Sequence, residues 1–396
     1  MNVLFVLDHP KSSGGGHVQG LNYCKVFCDI FQDMDDINTF YLSNKYLSGD
    51  ALQRFNATPI EFKNLKIRQR FAEVFYKTLF AGYAARVTKI FGISFEKSLQ
   101  KHAIDLVIFL GPSRLIPLVG DVNYIISSWD LSHREDCEFP EVRVQEIYFT
   151  RELWIRTFYH RAMCIIVDSD FSKNQLSSWY GIEPKKIVPI PFEPNQKILK
   201  KSKGNSRVCD VKINSILVPA QFWSHKGHVW IIEAVTNLRK SGFENFCVNF
   251  VGGDRKGAAD RLKNLVCALE LENYIKFHGF VSDSEMAVFY TDADILLFPS
   301  YFGPTNLPPL EGALHNIPVV MPNKISFTEF YGDSFYFFDI GDSSSLSDIL
   351  ASLLEHRPKV NYANFLNKLS KKRSTGLIKL AKELKIFKRK LTLWRY

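Results

Sequence analysis

The chain of 396 residues has few cysteines, no paired metal-binding motif and no long apolar run. Its seven cysteines are scattered and none belongs to a Cys-x-x-Cys pair, so neither a disulfide framework nor a zinc knuckle is predicted. The longest uncharged stretch, residues 295–310, contains four prolines, which argues against a transmembrane helix. No positive charge precedes the apolar residues of the opening MNVLFVLD, so we expect a strand there, no signal peptide, and a cytoplasmic protein.

The length and the charge of the chain limit its domain organisation and its partners. A chain of 396 residues is too long for one compact core, so two domains are expected. Hydrophobic residues make up 46% of the chain and charged residues 23%, which excludes wholesale disorder. Residues 357–396 carry 13 lysines and arginines against one acid, Glu383, while the whole chain has a net charge of +9, so the remainder is net negative. This basic tail favours an anionic partner, either a membrane or a nucleic acid.

Short apolar runs alternate with longer helical patterns, which is typical of βαβ units. The predicted buried strands of the first half are residues 3–7, 105–110, 123–127 and 164–167. Those of the second half are residues 215–218, 247–251, 275–278, 295–298, 318–320 and 335–338. A polar, lysine-rich stretch separates the two series. We therefore expect two doubly wound α/β domains whose ligands bind at the carboxyl ends of the strands.

A glycine run follows the first strand. Gly14, Gly15 and Gly16 lead into a helix predicted from about residue 17 to residue 31. Glycine lets the backbone approach a ligand closely, and the N–H groups at a helix start attract anions, so the run can bind a phosphate. A flexible loop without a ligand is the alternative. Neither a P-loop nor the GxGxxG spacing is present, which argues against a nicotinamide dinucleotide site.

Two loops in the second half carry charged candidates. Lys226 stands where a strand gives way to a helix, and its charge adds to an anion-binding geometry. A solvated loop is the alternative there. Glu311 follows Pro308 and Pro309, and because proline favours the first helical position, Glu311 is predicted in the first turn of a helix. Its carboxylate can accept two hydroxyls of a sugar ring; a capping role is the alternative.

These segments together resemble the glycosyltransferases of family 4. His225-Lys226-Gly227 resembles the end of that family's GR-x-x-x-x-KG loop, and residues 307–311 (LPPLE) resemble the second half of its E-x7-E motif. Residues 165–190 are similar to its strand–SxFSxxxL–helix–strand passage, and residues 277–283 to its FxGxVSD turn. The resemblance extends from residue 1 to about residue 354 and is strongest between residues 165 and 320.

The resemblance implies an α/β fold of the GT-B type, with two Rossmann-like domains facing a central cleft. We expect an N-terminal acceptor-side domain over residues 1–193, a linker at 194–206 and a nucleotide-sugar-binding domain over 207–355. Residues 356–396 form a basic helical tail, which in the family returns to the first domain.

Three positions depart from the family pattern. Gly303 replaces the first Glu of E-x7-E, which usually touches the donor sugar. Gln221 stands in place of the phosphate-binding Arg, which leaves Lys226 as the main positive group. Trp129 replaces the His of an HD-L motif, and His133 is its nearest substitute, either orienting the donor or the attacking hydroxyl or serving the structure alone. We interpret these departures as a variant with the motifs PAQFWxHK and GPTNxPPLE that keeps its activity.

The resemblance also implies residue roles. Sugar contacts are expected from the side chains of Thr305 and Asn306. Lys226, the Gly15–Gly16 loop and the N–H groups of Thr305, Asn306 and Leu307 are expected to stabilise the departing nucleoside diphosphate. Glu311 is expected to hold the ribose, and the backbone of Gly279-Phe280-Val281 the base. The predicted catalytic residues are His133, Lys226 and Glu311.

The resemblance implies a retaining hexosyltransferase that uses a nucleotide-sugar donor and a glycan or lipid-linked acceptor, in bacterial surface polysaccharide or lipopolysaccharide synthesis. No cofactor and no metal are expected, because the DxD triplets at residues 33–35, 168–170 and 292–294 fall in or beside predicted helices and strands. A nucleotide-sugar epimerase of the same fold and a non-catalytic nucleotide-sugar or membrane-binding scaffold are the alternatives.

Two basic amphipathic segments favour a peripheral position at the inner face of the cell membrane. Residues Phe62–Phe91 hold seven basic residues to one acid, and the tail has an apolar stripe from Leu377 to Trp394. Packing of these stripes on the protein itself is the alternative. A nucleic acid partner is not expected, because the body of the chain is net negative and contains no recognisable nucleic-acid-binding module.

Overall fold

The computed structural model describes residues 1–7, 9, 15–42, 57–60, 94–113, 115–144, 147–194, 198, 214–254 and 257–394. The chain divides into two compact units. The first unit comprises residues 1–131, 146–191 and 371–396, and the second unit comprises residues 132–145 and 192–370.

Each unit is built on a parallel sheet. The first has seven strands in the order β3-β2-β1-β4-β5-β6-β7, and the second has six in the order β10-β9-β8-β11-β12-β13. The strands of the first are β1 (Asn2–Val6), β2 (Asn38–Leu42), β3 (Thr58–Ile60), β4 (Leu106–Phe109), β5 (Asn123–Ser127), β6 (Cys164–Val167) and β7 (Ile187–Pro189). Those of the second are β8 (Asn214–Pro219), β9 (Phe246–Val251), β10 (Ile275–Gly279), β11 (Ile295–Leu297), β12 (Val319–Pro322) and β13 (Tyr336–Phe338).

Helices follow most strands, as parallel pairing requires. They are α1 (Gly15–Gln32), α2 (Ser94–Lys101), α3 (Ser132–Glu135), α4 (Pro140–Arg143), α5 (Ile147–Trp154), α6 (Asp170–Tyr180), α7 (His228–Lys240), α8 (Ala258–Ala268), α9 (Asp283–Asp292), α10 (Leu307–Leu314), α11 (Ile325–Tyr331), α12 (Ser343–His356) and α13 (Ala363–Trp394). Within the described part of the chain, none of them combines the length and the apolar character that crossing a bilayer demands.

Continuous apolar runs form the central strands because both faces of a parallel sheet are covered. All four residues of β4 and all four of β6 are buried. In the second unit β11 and β12 are buried throughout. The expected architecture of two Rossmann-like parallel sheets with flanking helices is present.

The division of the chain differs from the predicted domain bounds in two places. The 132–145 segment, which holds α3 and α4, belongs to the second unit, because the Ser132 hydroxyl accepts the Gly303 N–H at 3.0 Å and Lys324 pairs with Asp136 at 2.7 Å. The predicted tail is split, with residues 356–370 in the second unit. Most of the predicted linker at 194–206 lies outside the described residues.

The last helix packs on the first unit along one face. Leu380, Leu384 and Phe387 are buried, and the Lys379 ammonium donates to the Ile187 carbonyl at 3.0 Å. Of the two interpretations of the tail, packing on the protein itself therefore holds for this face. The apolar stripe drives the docking.

Gly376 is the point of closest approach of α13. A Cβ built there would lie 2.2 Å from the Pro189 carbonyl oxygen. We expect Gly376→Val to lower the free energy of unfolding by about 1–3 kcal/mol, because the helix must move away from β7. Thermal and urea unfolding would measure it, with Ser374→Val, an exposed position on the same helix, as the control. Equal stability of the two variants would show that α13 does not pack here.

Candidate active site

Two loops of the second unit meet at the carboxyl ends of its central strands. The lysine loop (residues 220–227) follows β8, and the 298–306 loop follows β11. The Tyr301 N–H donates to the His225 carbonyl at 2.9 Å, which joins the two loops backbone to backbone. This is the edge where doubly wound folds bind their ligands.

Lys226 is fixed by its neighbours. Its ammonium donates to the Ser300 hydroxyl at 3.0 Å. Gly227, next to it, has a φ of +64°, and a Cβ there would lie 2.6 Å from the Pro299 carbonyl oxygen, so only glycine permits this approach. Burial, with a contribution from Lys226, lowers the pKa of His228 to about 3, so this histidine is neutral and Lys226 provides the positive charge of the loop end.

Glu311 lies one turn further into its helix than predicted. Because α10 begins at Leu307, the carboxylate sits in the second turn and not in the first. The side chain is buried, and the Tyr290 hydroxyl donates to its Oε2 at 2.7 Å. Burial, with the neighbouring carboxylate, raises the pKa of Tyr290, so the hydroxyl remains a donor. The carboxylate is therefore held by a tyrosine from another helix, and it does not serve as a helix cap.

The loop ahead of α10 is held by its own polar groups. The Asn306 side-chain amide donates to the Phe302 carbonyl at 3.1 Å, and the Asn306 N–H donates to the Tyr331 hydroxyl at 3.1 Å. Both groups had been expected to bind the donor, and in this structure both have partners inside the protein. Thr305 is buried beside them. Leu307 begins the helix and is also buried.

Gly303, at the position of the family's missing glutamate, has a φ of +83°. This left-handed conformation favours glycine over any residue with a side chain. The substitution therefore fits the backbone, and a glutamate here would strain the loop.

Four further donor-site candidates, Gln221, Gly279, Phe280 and Val281, lie on neighbouring loops of the second unit. The Gly279 carbonyl accepts the Gly252 N–H at 2.8 Å, which links the turn after β10 to the one after β9. The next residue, Phe280, is 74% exposed and free to meet a flat ligand. Val281 packs against the core of this unit. The side-chain amide oxygen Oε1 of Gln221 accepts the Trp223 indole N–H at 3.1 Å.

His133 is completely buried in the first turn of the 132–145 segment. The structure places it in the same unit as Lys226 and Glu311, one residue after the Ser132–Gly303 contact. Its ring is not exposed to a substrate in this conformation. Its predicted catalytic role stays a prediction.

Gly15 and Gly16 lie in the first unit, and Gly16 has a packing role. Helix α1 begins at Gly15, and a Cβ on Gly16 would lie 2.8 Å from the Trp129 ring. A Cβ on Gly111 would lie 2.6 Å from the same ring. The bare backbone at both positions makes room for the indole that replaces the family's histidine. A phosphate-binding role of Gly15 and Gly16 stays a prediction.

Sequence reasoning missed the groups that hold the site. Tyr290, Tyr331 and Glu141 come from elements remote in sequence from the residues that they contact. No local pattern marks them, since a tyrosine or glutamate on a helix is usually a surface or core residue.

Comparisons with known proteins find similar sequences and similar folds. Residues 205–386 match the family described as "Glycosyl transferases group 1". The resemblance inferred from the motifs is thus confirmed. A curated relative, the O-antigen chain mannosyltransferase RfbU of Salmonella typhimurium, is 24% identical over 217 residues, which cover 54% of this chain and 57% of the relative. The alignment thus spans little more than half the length of that relative.

Solved structures show the fold over nearly the whole chain. A glycosyltransferase from Rickettsia africae superposes with a TM-score of 0.64 at 17% identity, covering 98% of each chain. Anabaena Alr3699/HepE, solved in complex with UDP, has a TM-score of 0.64 at 18% identity, covering 97% of this chain and all of that one. The predicted GT-B fold is confirmed.

Removing the Tyr290 hydroxyl tests the support of Glu311. Tyr290→Phe leaves a buried carboxylate oxygen without this donor, so we expect a loss of about 1–3 kcal/mol in the free energy of unfolding. Urea denaturation would measure it. Tyr274→Phe, beside the edge strand β10, is the matched control. A change no larger than that of the control would mean that the Tyr290–Glu311 bond contributes nothing.

Proposed function

We propose that the chain is a retaining, metal-independent glycosyltransferase that moves a hexose from a nucleotide sugar to a glycan or lipid-linked acceptor in bacterial surface polysaccharide synthesis. One observation carries the proposal: a cation and a carboxylate are both held in place at one edge of the second sheet. Lys226 is fixed on Ser300, and Glu311 is fixed by Tyr290. The proposal is supported by the similarity to RfbU, an O-antigen chain mannosyltransferase, and to HepE, which was solved in complex with UDP.

The chemistry requires stabilisation of the departing nucleoside diphosphate, because its developing charge is the largest electrostatic change in the reaction. Lys226 neutralises that charge, and the backbone N–H groups of Thr305 and Leu307 add hydrogen bonds. Glu311 accepts the ribose hydroxyls. The exposed ring of Phe280 and the backbone on either side of it contact the base.

Two further roles are proposed for residues outside these contacts. The N–H groups of Gly15 and Gly16 at the start of α1 are proposed to bind a phosphate. His133, which is buried, supports the short helix α3 and through it the Ser132–Gly303 hydrogen bond.

Nucleotide binding is the first test. Thermal stabilisation by UDP, GDP, dTDP and ADP without added metal names the donor class, since a ligand at 100 times its Kd adds about 2.7 kcal/mol. A preference for one nucleotide supports the proposal. No response, or a response that needs a divalent metal, contradicts it.

Glu311→Ala tests the assigned site. We expect nucleotide affinity to fall about tenfold or more, because hydrogen bonds to a charged group are lost, and turnover of the matching nucleotide sugar to fall with it. Calorimetry and release of the nucleoside diphosphate would measure both. Glu355→Ala, at an exposed position on α12, is the matched control. Unchanged binding and turnover in Glu311→Ala would overturn the site assignment.

We further propose that the outer face of α13 rests on an anionic membrane surface. Lys382, Lys385 and Arg389 are exposed there, and they lie between the exposed apolar residues Ile378 and Leu393. Basic residues with flanking apolar side chains are typical of interfacial helices. The other predicted membrane segment, Phe62–Phe91, lies outside the described residues.

Charge reversal tests this surface. The triple variant Lys382→Glu, Lys385→Glu and Arg389→Glu should lose about 3 kcal/mol of binding to phosphatidylserine vesicles, near a hundredfold, because each basic residue contributes roughly 1 kcal/mol. Vesicle sedimentation would measure it. Lys97→Glu with Lys101→Glu and Lys240→Glu reverses three exposed charges elsewhere and serves as the control. Equal loss in both variants would leave only a net-charge effect and reject the α13 surface.

A further inference from the structure

The short helix α4 of the 132–145 segment contacts the lysine loop through one carboxylate. Glu141 Oε1 accepts the Ser224 N–H at 2.5 Å, and it lies 3.4 Å from His225 Nδ1. The Glu141 and His225 side chains are only 13% and 12% exposed. Burial alone would raise the pKa of Glu141, but the nearby His225 ring and the hydrogen bond from the Ser224 N–H outweigh it and lower the pKa to about 2. The carboxylate is therefore ionised, and it accepts a hydrogen bond from the lysine loop.

Aromatic packing ties the same segment to the second loop. The His225 ring stacks on Phe302 with centroids 4.0 Å apart and planes within 4°. Phe139, two residues before Glu141, meets Phe302 edge-on at 5.4 Å and Tyr301 at 5.0 Å. The 132–145 segment therefore contacts both the lysine loop and the 298–306 loop.

The contact at Ser224 bears directly on Lys226. Ser224–Lys226 form a single tight turn that closes with the Gly227 N–H donating to the Ser224 carbonyl at 3.1 Å. The N–H at the head of such a turn has no partner within it. Glu141 provides that partner, and by doing so it fixes the turn at whose end the Lys226 ammonium sits.

We propose that Glu141 is a positioning residue of the donor site: it holds the lysine loop so that Lys226 meets the diphosphate, without itself touching the nucleotide. This inference rests on the proposed function. The family motifs give no indication of a role for Glu141, because this residue lies in the part of the sequence that is predicted to form the acceptor-side domain.

Paired variants approach the hydrogen bond from its two ends. Glu141→Ala removes the acceptor, whereas Glu141→Gln keeps an oxygen for the Ser224 N–H. Ser224→Pro removes the donor and suits the backbone, since proline is tolerated at the first position of a helical turn and Trp223 before it has an extended conformation. Glu138→Ala, an exposed acid on the same segment, is the control.

Calorimetry with the preferred nucleoside diphosphate is the main measurement. We expect Glu141→Ala and Ser224→Pro each to weaken binding about tenfold, and Glu141→Gln and Glu138→Ala to stay within about threefold of the unmodified protein. The double variant Glu141→Ala with Ser224→Pro should bind no more weakly than either single variant, because both remove the same bond. Hydrogen exchange of residues 221–228 in the nucleotide-free protein should speed up in Glu141→Ala and not in Glu141→Gln.

The outcomes separate this inference from the proposed function. Failure of the unmodified protein to bind any nucleotide overturns the proposed function, and this inference with it. Normal binding by a folded Glu141→Ala protein, or multiplicative losses in the double variant, overturns the positioning role alone. If Glu141→Ala does not fold, the Ser224→Pro and Glu141→Gln results decide by the same criteria.

Discussion

The meeting of the lysine loop with the 298–306 loop depends on one close approach between two backbones. Gly227 comes so near the Pro299 carbonyl that a methyl group in place of its hydrogen would lie 2.6 Å from the oxygen. This approach places the Lys226 ammonium on the Ser300 hydroxyl. Any side chain at position 227 would push the two loops apart and move the charge with them. The lysine and the glycine are therefore one functional unit, in which one supplies the charge and the other fixes its place.

Two of the three departures from the family pattern fit the structure around them. Trp129 replaces a histidine, and its ring is accommodated because Gly16 and Gly111 leave its two sides open. Gly303 replaces a glutamate, and its φ of +83° would cost a residue with a side chain roughly 1–2 kcal/mol. In both cases the replacing residue fits its surroundings: the Trp129 ring fits beside two glycines, and Gly303 suits a left-handed backbone.

Much of the fold follows from the apolar runs. Strands such as β4 and β6 are buried on both faces, so their sequences show continuous hydrophobic stretches that are easily found. Strand β2 and the edge strand β3 are only partly buried, and they leave no such signal. In the site, Lys226 and Glu311 were predicted because they lie within sequence motifs. Tyr290 and Glu141 were not, because only the tertiary packing brings them to their partners.

The motif around Trp129 shows how chain order and structural unit can part. Asp130 pairs with Arg151 through two hydrogen bonds of 3.0 and 3.1 Å within the first unit. Two residues later, Ser132 accepts the Gly303 N–H within the second unit. The first half of this motif therefore packs within the first unit, and its second half contacts the 298–306 loop of the second unit. The position of a residue in the chain is thus a poor guide to the unit that it supports, and the 132–145 segment is understood through the loops that it contacts.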